Sequence, residues 1–340
     1  MSRIIERIER ELRVPGLVSL LAERIEPTDL QSVLLEVYRE RALRRRPSDV
    51  LSDYETNRFV RPATMPPFRL HDWERVAFSQ LPPEFQLLAL SPVCPLGTNS
   101  VVAPVDQNWA VSTARNTEVV SDSSNVLALE CAVRRRQLLR SQPKSTAQVH
   151  LATSHRLLRA QRYEDPKLLS HFSALALCSA GRDVGGLQFE LESLSLHIRF
   201  YLRSLRAFLG SGVPLRLSVS DFAPQAREAV ITSELLDPIQ DELRGTDCDF
   251  DSQRTSGRGY YLDLCFRISA LALSGRWIEL VDGGSVDWTQ KLLSNSKERL
   301  MISAIGSERV CTEFANGNAT QQLAGADGYP ALPDSCEECL

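Results

Sequence analysis

Long apolar runs are missing from this 340-residue chain. Nothing in it approaches the roughly 18–20 consecutive apolar residues that a membrane-spanning helix requires. The N-terminus, Met1-Ser2-Arg3-Ile4-Ile5-Glu6-Arg7, has acids in its first turns and no clean apolar core, so it does not read as a secretory signal. A cytoplasmic protein without membrane contact is the expectation. Charge of one sign is also scarce. The net charge of −4 argues against a general nucleic-acid coat, which would be basic. Metal-binding cysteine patterns are incomplete. Cys336-Glu337-Glu338-Cys339 has a two-residue gap, but no second pair completes four ligands, so no metal site is expected. Other cysteines, such as Cys178 and Cys265, sit singly within apolar segments and read as buried small hydrophobes. There is no internal repeat. What is present is ordinary for a globular protein, with 43% apolar and 24% charged residues. The length suits one large domain or two smaller ones.

Residues 1–60 read as a helical extension. Ile4, Ile5, Ile8 and Leu12 recur at helical spacing, and Pro27-Thr28-Asp29 signals a second start. The helix after it ends in Arg44-Arg45-Arg46-Pro47, cations suited to a helix C-terminus or to an RNA phosphate. Three prolines within 61–67 break the regular structure. From there the pattern predicts helix and then strand over 73–90, short strands at 101–102 and 109–112, and a helix over 125–139. Further strands are expected at 150–152, 172–177, 215–219, 259–269 and 276–281, with a long helix over 189–209. Long helices beside mainly antiparallel strands give an α+β class, with a core over 70–315. The tail over 316–340, rich in Gly, Asn, Ala and Pro, reads as disordered.

Several segments carry chemistry. Met301-Ile302-Ser303-Ala304-Ile305-Gly306-Ser307-Glu308-Arg309-Val310 reads as an apolar strand, a small-residue turn and a helix opened by an arginine. A glycine there lets backbone approach a ligand, and a guanidinium beside it can grip phosphate. Upstream, His155-Arg156-Leu157-Leu158-Arg159-Ala160-Gln161-Arg162-Tyr163 ends a strand. The loop Glu164-Asp165-Pro166-Lys167 follows, and His171-Phe172-Ser173-Ala174 starts a second strand. Arginines flanking such a hairpin can converge on an anion, and Phe172 offers a stacking face. Next come Gly257-Arg258-Gly259-Tyr260-Tyr261-Leu262-Asp263-Leu264-Cys265-Phe266 and Asp282-Gly283-Gly284-Ser285-Val286-Asp287-Trp288.

In this order the segments resemble the class II aminoacyl-tRNA synthetases over roughly residues 80–315, and the histidyl branch in particular. The 301–310 segment resembles motif 3, and the 155–174 hairpin resembles motif 2. The Arg258-Gly259-Tyr260-Tyr261 run resembles the histidyl signature of Arg-Gly, two residues and Tyr-Tyr, with the two intervening residues absent. The 282–288 run resembles that family's Gly-Gly-Arg-Tyr-Asp segment, with Ser285 replacing the arginine. Pro92 stands where motif 1 places a dimer-interface proline. The resemblance implies an antiparallel synthetase core, ATP and Mg²⁺ as cofactors, and a homodimer. It implies that Arg159, with Arg156 competing, holds the α-phosphate, Phe172 stacks on adenine, and Arg309 holds the γ-phosphate with Glu308 in support. Arg258 would contact the substrate carboxylate and the reacting phosphate. Glu118 or Asp122, Tyr260, Tyr261, Gly283 and Gly284 would hold the amino acid. Gln161 stands where the family has an acid, and Ala304 where it prefers glycine.

Two functions follow from the resemblance. One is ATP-dependent activation of a small carboxylate, in this family an amino acid, as an acyl adenylate passed to a tRNA, a carrier protein or a small molecule. The other is a non-catalytic paralogue that senses an amino acid and regulates a partner enzyme. The anticodon-binding domain that follows motif 3 is not seen. In extent the chain is similar to the regulatory subunit of ATP phosphoribosyltransferase.

Overall fold

A computed structural model of the chain describes residues 3–63, 65–161, 170–223 and 226–314. The tail over 316–340, with Cys336 and Cys339, lies outside these, as do Arg162 and the 164–167 loop. Four helices open the chain: α1 (Arg3–Leu12), α2 (Leu17–Glu23), α3 (Pro27–Leu43) and α4 (Pro47–Thr56). None of them has a buried residue. Their Arg45 and Arg46 pair with Asp53 and Asp49, the ordinary fate of a basic helix end. Then come α5 (Pro67–Ser79), β1 (Phe85–Leu87), β2 (Val93–Pro95), β3 (Thr117–Val119) and α6 (Ser123–Ser141). The hairpin over 155–174 joins β4 (Val149–Leu158) and β5 (His171–Arg182), followed by α7 (Gln188–Leu209) and β6 (Leu215–Asp221). The rest is α8 (Glu228–Ile231), α9 (Asp237–Glu242), β7 (Thr246–Phe250), β8 (Leu264–Leu271), β9 (Trp277–Val286), α10 (Trp288–Leu293), β10 (Glu298–Gly306) and α11 (Ser307–Glu313).

Eight strands form one sheet in the order β1-β4-β5-β10-β9-β8-β6-β7. Only β1/β4 and β6/β7 run parallel. The expected mainly antiparallel α+β architecture is what the chain adopts. Side chains alternate between faces along each strand. On the back face Leu175, Leu177, Met301, Ile305 and Phe266 pack with Trp73 of α5, Leu194 and Tyr201 of α7, and Val310 of α11. On the front face Leu151, Ala176, Cys178, Ile302 and Cys265 pack with Leu127 and Cys131 of α6 and Trp288 of α10. Cys178 and Cys265 are fully buried, as their apolar neighbours imply. Among the described residues, no helix is long and apolar enough to cross a membrane.

Three local readings differ from the sequence expectation. Residues 101–102 lie in a π-helical turn (Thr98–Val102) and 109 in a 3₁₀ turn (Gln107–Trp109), not in strands. The buried Glu118 carboxylate causes this, because it gathers donors from Gly97, Asn99 and Gln107 and bends the loop around itself. β8 starts at Leu264, not 259, because Gly257 and Gly259 sit at φ 88° and 84° and form a turn. β7 was not anticipated, since its Thr-Asp-Cys-Asp-Phe sequence has poor intrinsic strand preference and pairs only because β6 lies alongside.

Two buried polar devices join the layers. Arg135 of α6 and Glu298 of β10 are both fully buried and form a two-pronged ion pair at 2.8 and 2.9 Å, and Arg135 also donates to the Ser145 carbonyl. Behind the sheet, His197 of α7 lies between the hydroxyls of Ser303 (2.7 Å) and Ser179 (2.9 Å). Burial lowers its pKa to about 3, so the ring is neutral in the fold.

Removing one partner of the buried pair strands a charge, so Arg135→Met should cost about 3–5 kcal/mol. The double change Arg135→Met/Glu298→Leu should recover most of that, as read by urea unfolding. The histidine sets a pH dependence. The unfolded ring titrates near pH 6.5 and the folded one near 3, so its contribution is complete above pH 6.5 and is lost as pH falls through that window. Urea midpoints measured from pH 7.5 down to 4 should therefore decline, and His197→Gln should flatten the decline.

Candidate functional site

The front face between α6 and the turn at 257–260 gathers five of the twelve expected residues: Arg159, Phe172, Asp122, Tyr260 and Tyr261. β4 ends at Leu158, and the next residue, Arg159, reaches across to the N-terminus of α6. Its Nε donates to the Ser121 carbonyl (2.9 Å) and its Nη2 to Asp122 (3.2 Å). The guanidinium also lies 5.2 Å from the Phe172 ring centre. Asp122 doubles as the N-cap of α6, accepting from the Ser124 amide (2.9 Å). Tyr260 lies against this group and feels the charges of Asp122 and Arg159. Its ring meets Tyr261 and Trp288 edge-on at 5.0 and 5.7 Å. Burial pushes both phenols above their ordinary range, so both remain protonated donors.

Beyond Tyr260 lies a pair that sequence reasoning passed over. Arg254, with a side chain only 3% exposed, donates to Asp282 Oδ1 at 2.7 Å. Tyr261 donates its hydroxyl to Asp282 Oδ2 at 3.1 Å. Asp282 stands on β9 opposite Ala304 of β10, and its side chain is 40% exposed. The Asp282-Gly283-Gly284 run had been read only for its glycines.

Those glycines lie inside β9. A Cβ on Gly283 would come within 2.5 Å of the Ser303 Cβ, and one on Gly284 within 2.6 Å of the Tyr261 ring. Their smallness admits neighbouring strands and the Tyr261 ring. Ser285 hydrogen-bonds to the Asp263 amide and holds the turn to the strand.

The other expected residues divide. Arg156, two registers inside β4, points to the back face. There it donates to Glu308 (2.8 Å) and Ser173 (3.2 Å). Glu308 is thus engaged on the side away from Arg159, and burial raises its pKa. Arg309, in the first turn of α11, is exposed and has no ion pair among the described residues. Glu118 is fully buried in the loop described above, away from solvent. Arg258 is exposed and lies over the Phe222 ring at 4.6 Å.

The position of Arg258 has a cause in the glycines beside it. A Cβ on Gly257 would meet the Tyr261 ring at 2.8 Å, whereas Gly259 faces open space. Gly257 is therefore the sterically required glycine. Counted from it, the spacing of glycine, two residues and Tyr-Tyr is complete, and Ser256 precedes the glycine where the signature has arginine. That spacing was available in the sequence as a signal.

No family model matches the chain, and no curated protein matches it. Solved structures do. An ATP phosphoribosyltransferase regulatory subunit/histidyl-tRNA synthetase from Bacillus halodurans C aligns at a TM-score of 0.54 and 11% identity, over 76% of this chain and 83% of that one. This chain has the class II synthetase-like fold. Apo histidyl-tRNA synthetase from S. aureus aligns at 0.51 and 10% identity, over 72% of this chain and 67% of that one. The RNA binding domain of threonyl-tRNA synthetase from Cryptosporidium parvum Iowa II aligns at 0.53 and 9% identity, over 73% of this chain and 63% of that one. The chain thus spans slightly less than two thirds of the threonyl structure.

Gly257→Ala should force the Tyr261 ring away from Asp282 and also strain a positive φ. A loss of about 1–3 kcal/mol is expected by urea unfolding. Gly259→Ala, with the same sign of φ but open space, should cost less.

Proposed function

We propose that the front face beside α6 binds an amino acid or a closely related small carboxylate without activating it, and that the chain regulates a partner enzyme according to that ligand. The observation carrying this reading is Ser256, which stands at the signature position of the arginine that contacts the reacting phosphate. The fit to a nucleotide points the same way. The Phe172 ring, expected to stack on adenine, already has the Arg159 guanidinium over it, and Arg159 is tied to Asp122 and to the Ser121 carbonyl. Glu308, expected to support Mg²⁺, is engaged by Arg156 on the back of the sheet. Among the described residues no group of three His, Cys, Asp or Glu is placed to hold a metal ion. These side chains do not fit ATP·Mg²⁺ as they stand, and we derive no adenylation step. What remains is a charge-balanced pair, Asp122 with Arg159, beside the Tyr260 and Tyr261 rings, and such a pair suits a ligand that is itself a zwitterion. One structural neighbour is named as a regulatory subunit/histidyl-tRNA synthetase, an analogy that allows this reading and the enzyme reading alike.

One observation favours the enzyme reading. Arg309 is exposed, unpaired among the described residues, and follows Gly306, as a γ-phosphate contact would. Under that reading the acceptor is a tRNA, a carrier protein or a small molecule. A homodimer belongs to either reading through the resemblance around Pro92.

The two readings separate in one assay. Amino-acid-dependent pyrophosphate exchange, run across the common amino acids, should be absent, while calorimetry detects binding of one of them. Exchange that Arg309→Ala abolishes would instead establish the enzyme.

A further inference from the structure

Behind the sheet, five side chains form an unbroken hydrogen-bonded row. His150 of β4 meets the Ser179 hydroxyl of β5 through Nδ1 at 2.7 Å, and that hydroxyl meets Nε2 of His197 on α7 at 2.9 Å. His197 Nδ1 meets the Ser303 hydroxyl of β10 at 2.7 Å, and Ser303 donates to the Tyr201 hydroxyl oxygen at 3.1 Å. Ser179, His197, Ser303 and Tyr201 are buried, whereas His150 is half-buried. Each serine has one proton to give, so the donations fix one another. Ser303 gives its proton to Tyr201 and must accept from His197, which places the His197 proton on Nδ1. Burial keeps His197 neutral, so its Nε2 is bare and accepts from Ser179. Ser179 then has no proton left for His150, and His150 Nδ1 must donate. That leaves His150 Nε2 free to take up a proton without displacing any bond of the row.

We infer that this row presets His150 as a pH-operated latch between β1 and α7. On acidification Nε2 takes up a proton from water, and every bond of the row survives. With the opposite tautomer, protonation would put a second donor against Ser179 and force Ser179, His197 and Ser303 all to reverse. The groups around His150 suit a latch. Glu84 stands at the entry to β1 and Glu192 on α7, with His197 of α7 and Ser179 of β5 on the inner side and the Phe85 ring of β1 5.2 Å away. Burial lowers the His150 pKa, and the two carboxylates partly offset it. The imidazolium draws on Glu84 and Glu192 together and ties the segment entering β1 to α7. Because the folded ring titrates below the unfolded one, charging it lowers global stability even as it fastens β1 locally. The latch is independent of the amino-acid reading.

The test is nitrogen-15 NMR of the full chain labelled at its five histidines, from pH 8 to 5, with amide exchange over 85–88 corrected for the intrinsic rate. At pH 8 both His150 and His197 should show Nδ1 protonated and Nε2 bare. On acidification His150 should gain its proton on Nε2 while His197 stays unchanged, and protection over 85–88 should rise. Tyr201→Phe removes the acceptor of the Ser303 proton with little change of shape. Keeping the original order would leave that buried hydroxyl unpaired, so the row should reverse. His197 should then carry its proton on Nε2. His150, with Ser303, His197 and Ser179 in between, should switch to the Nε2–H form, and its titration midpoint should fall. A tyrosine that merely fills space would move neither tautomer. If either wild-type ring is protonated on Nε2 alone at pH 8, or if a folded Tyr201→Phe keeps both tautomers, the inference is overturned. Protection over 85–88 that fails to rise as His150 charges also overturns it. Should the variant not fold, the wild-type spectra and exchange decide alone.

Discussion

A strand covered on both sides has no neutral place for a side chain. Along their buried stretches β4, β5, β10 and β9 face the α5/α7/α11 layer on one side and the α6/α10 layer on the other, and a shift by one reverses the choice. The cleft depends on this constraint. Arg156 falls on the back parity and joins Glu308, while Arg159, three residues later and just past the strand end, turns to the front and joins Asp122. Ala176, Ala304 and Asp282 lie in register across three strands and so share the front face.

The charges on that face come already matched. Arg159 answers Asp122, and Arg254 answers Asp282. A site meant to neutralise a triphosphate would hold its guanidinium groups in surplus, because the ligand supplies the opposing charge. Here Arg159 and Arg254 each have a carboxylate of the protein's own, while Arg258 of the adjoining turn is exposed over the Phe222 ring. Such a site suits a ligand that is itself balanced, and its discrimination rests on hydrogen-bond direction more than on net attraction. The four N-terminal helices stand apart from this, with every described residue at least partly exposed. Even so, Arg58, just after α4, donates to the Ala160 and Gln161 carbonyls next to Arg159. The extension therefore touches the chain that carries the cleft's first arginine.

Much of the architecture was legible residue by residue. The helix over Ser123–Ser141, the long helix over Gln188–Leu209 and the strand-turn-helix ending in Glu308-Arg309 follow from periodicity and from Gly306. The weak elements were not legible. β7 exists because β6 offers it hydrogen bonds, and the turns around 98–109 exist because one buried carboxylate collects their amides. Neither cause lies within the segment's own sequence. Type and spacing named Arg156 with Arg159, and Glu118 with Asp122, as alternatives, but could not say which of them lie together beside Tyr260. Those choices turn on strand parity and on what a loop buries.

Local pattern alone settled the class of elements, their order and the presence of arginine beside glycine-bearing turns, because periodicity and turn chemistry act over a few residues. Tertiary structure decided which charges meet. Arg254 and Asp282 are 28 positions apart, on a loop and a central strand, and nothing short of the folded sheet brings a guanidinium and a carboxylate to 2.7 Å beneath a tyrosine.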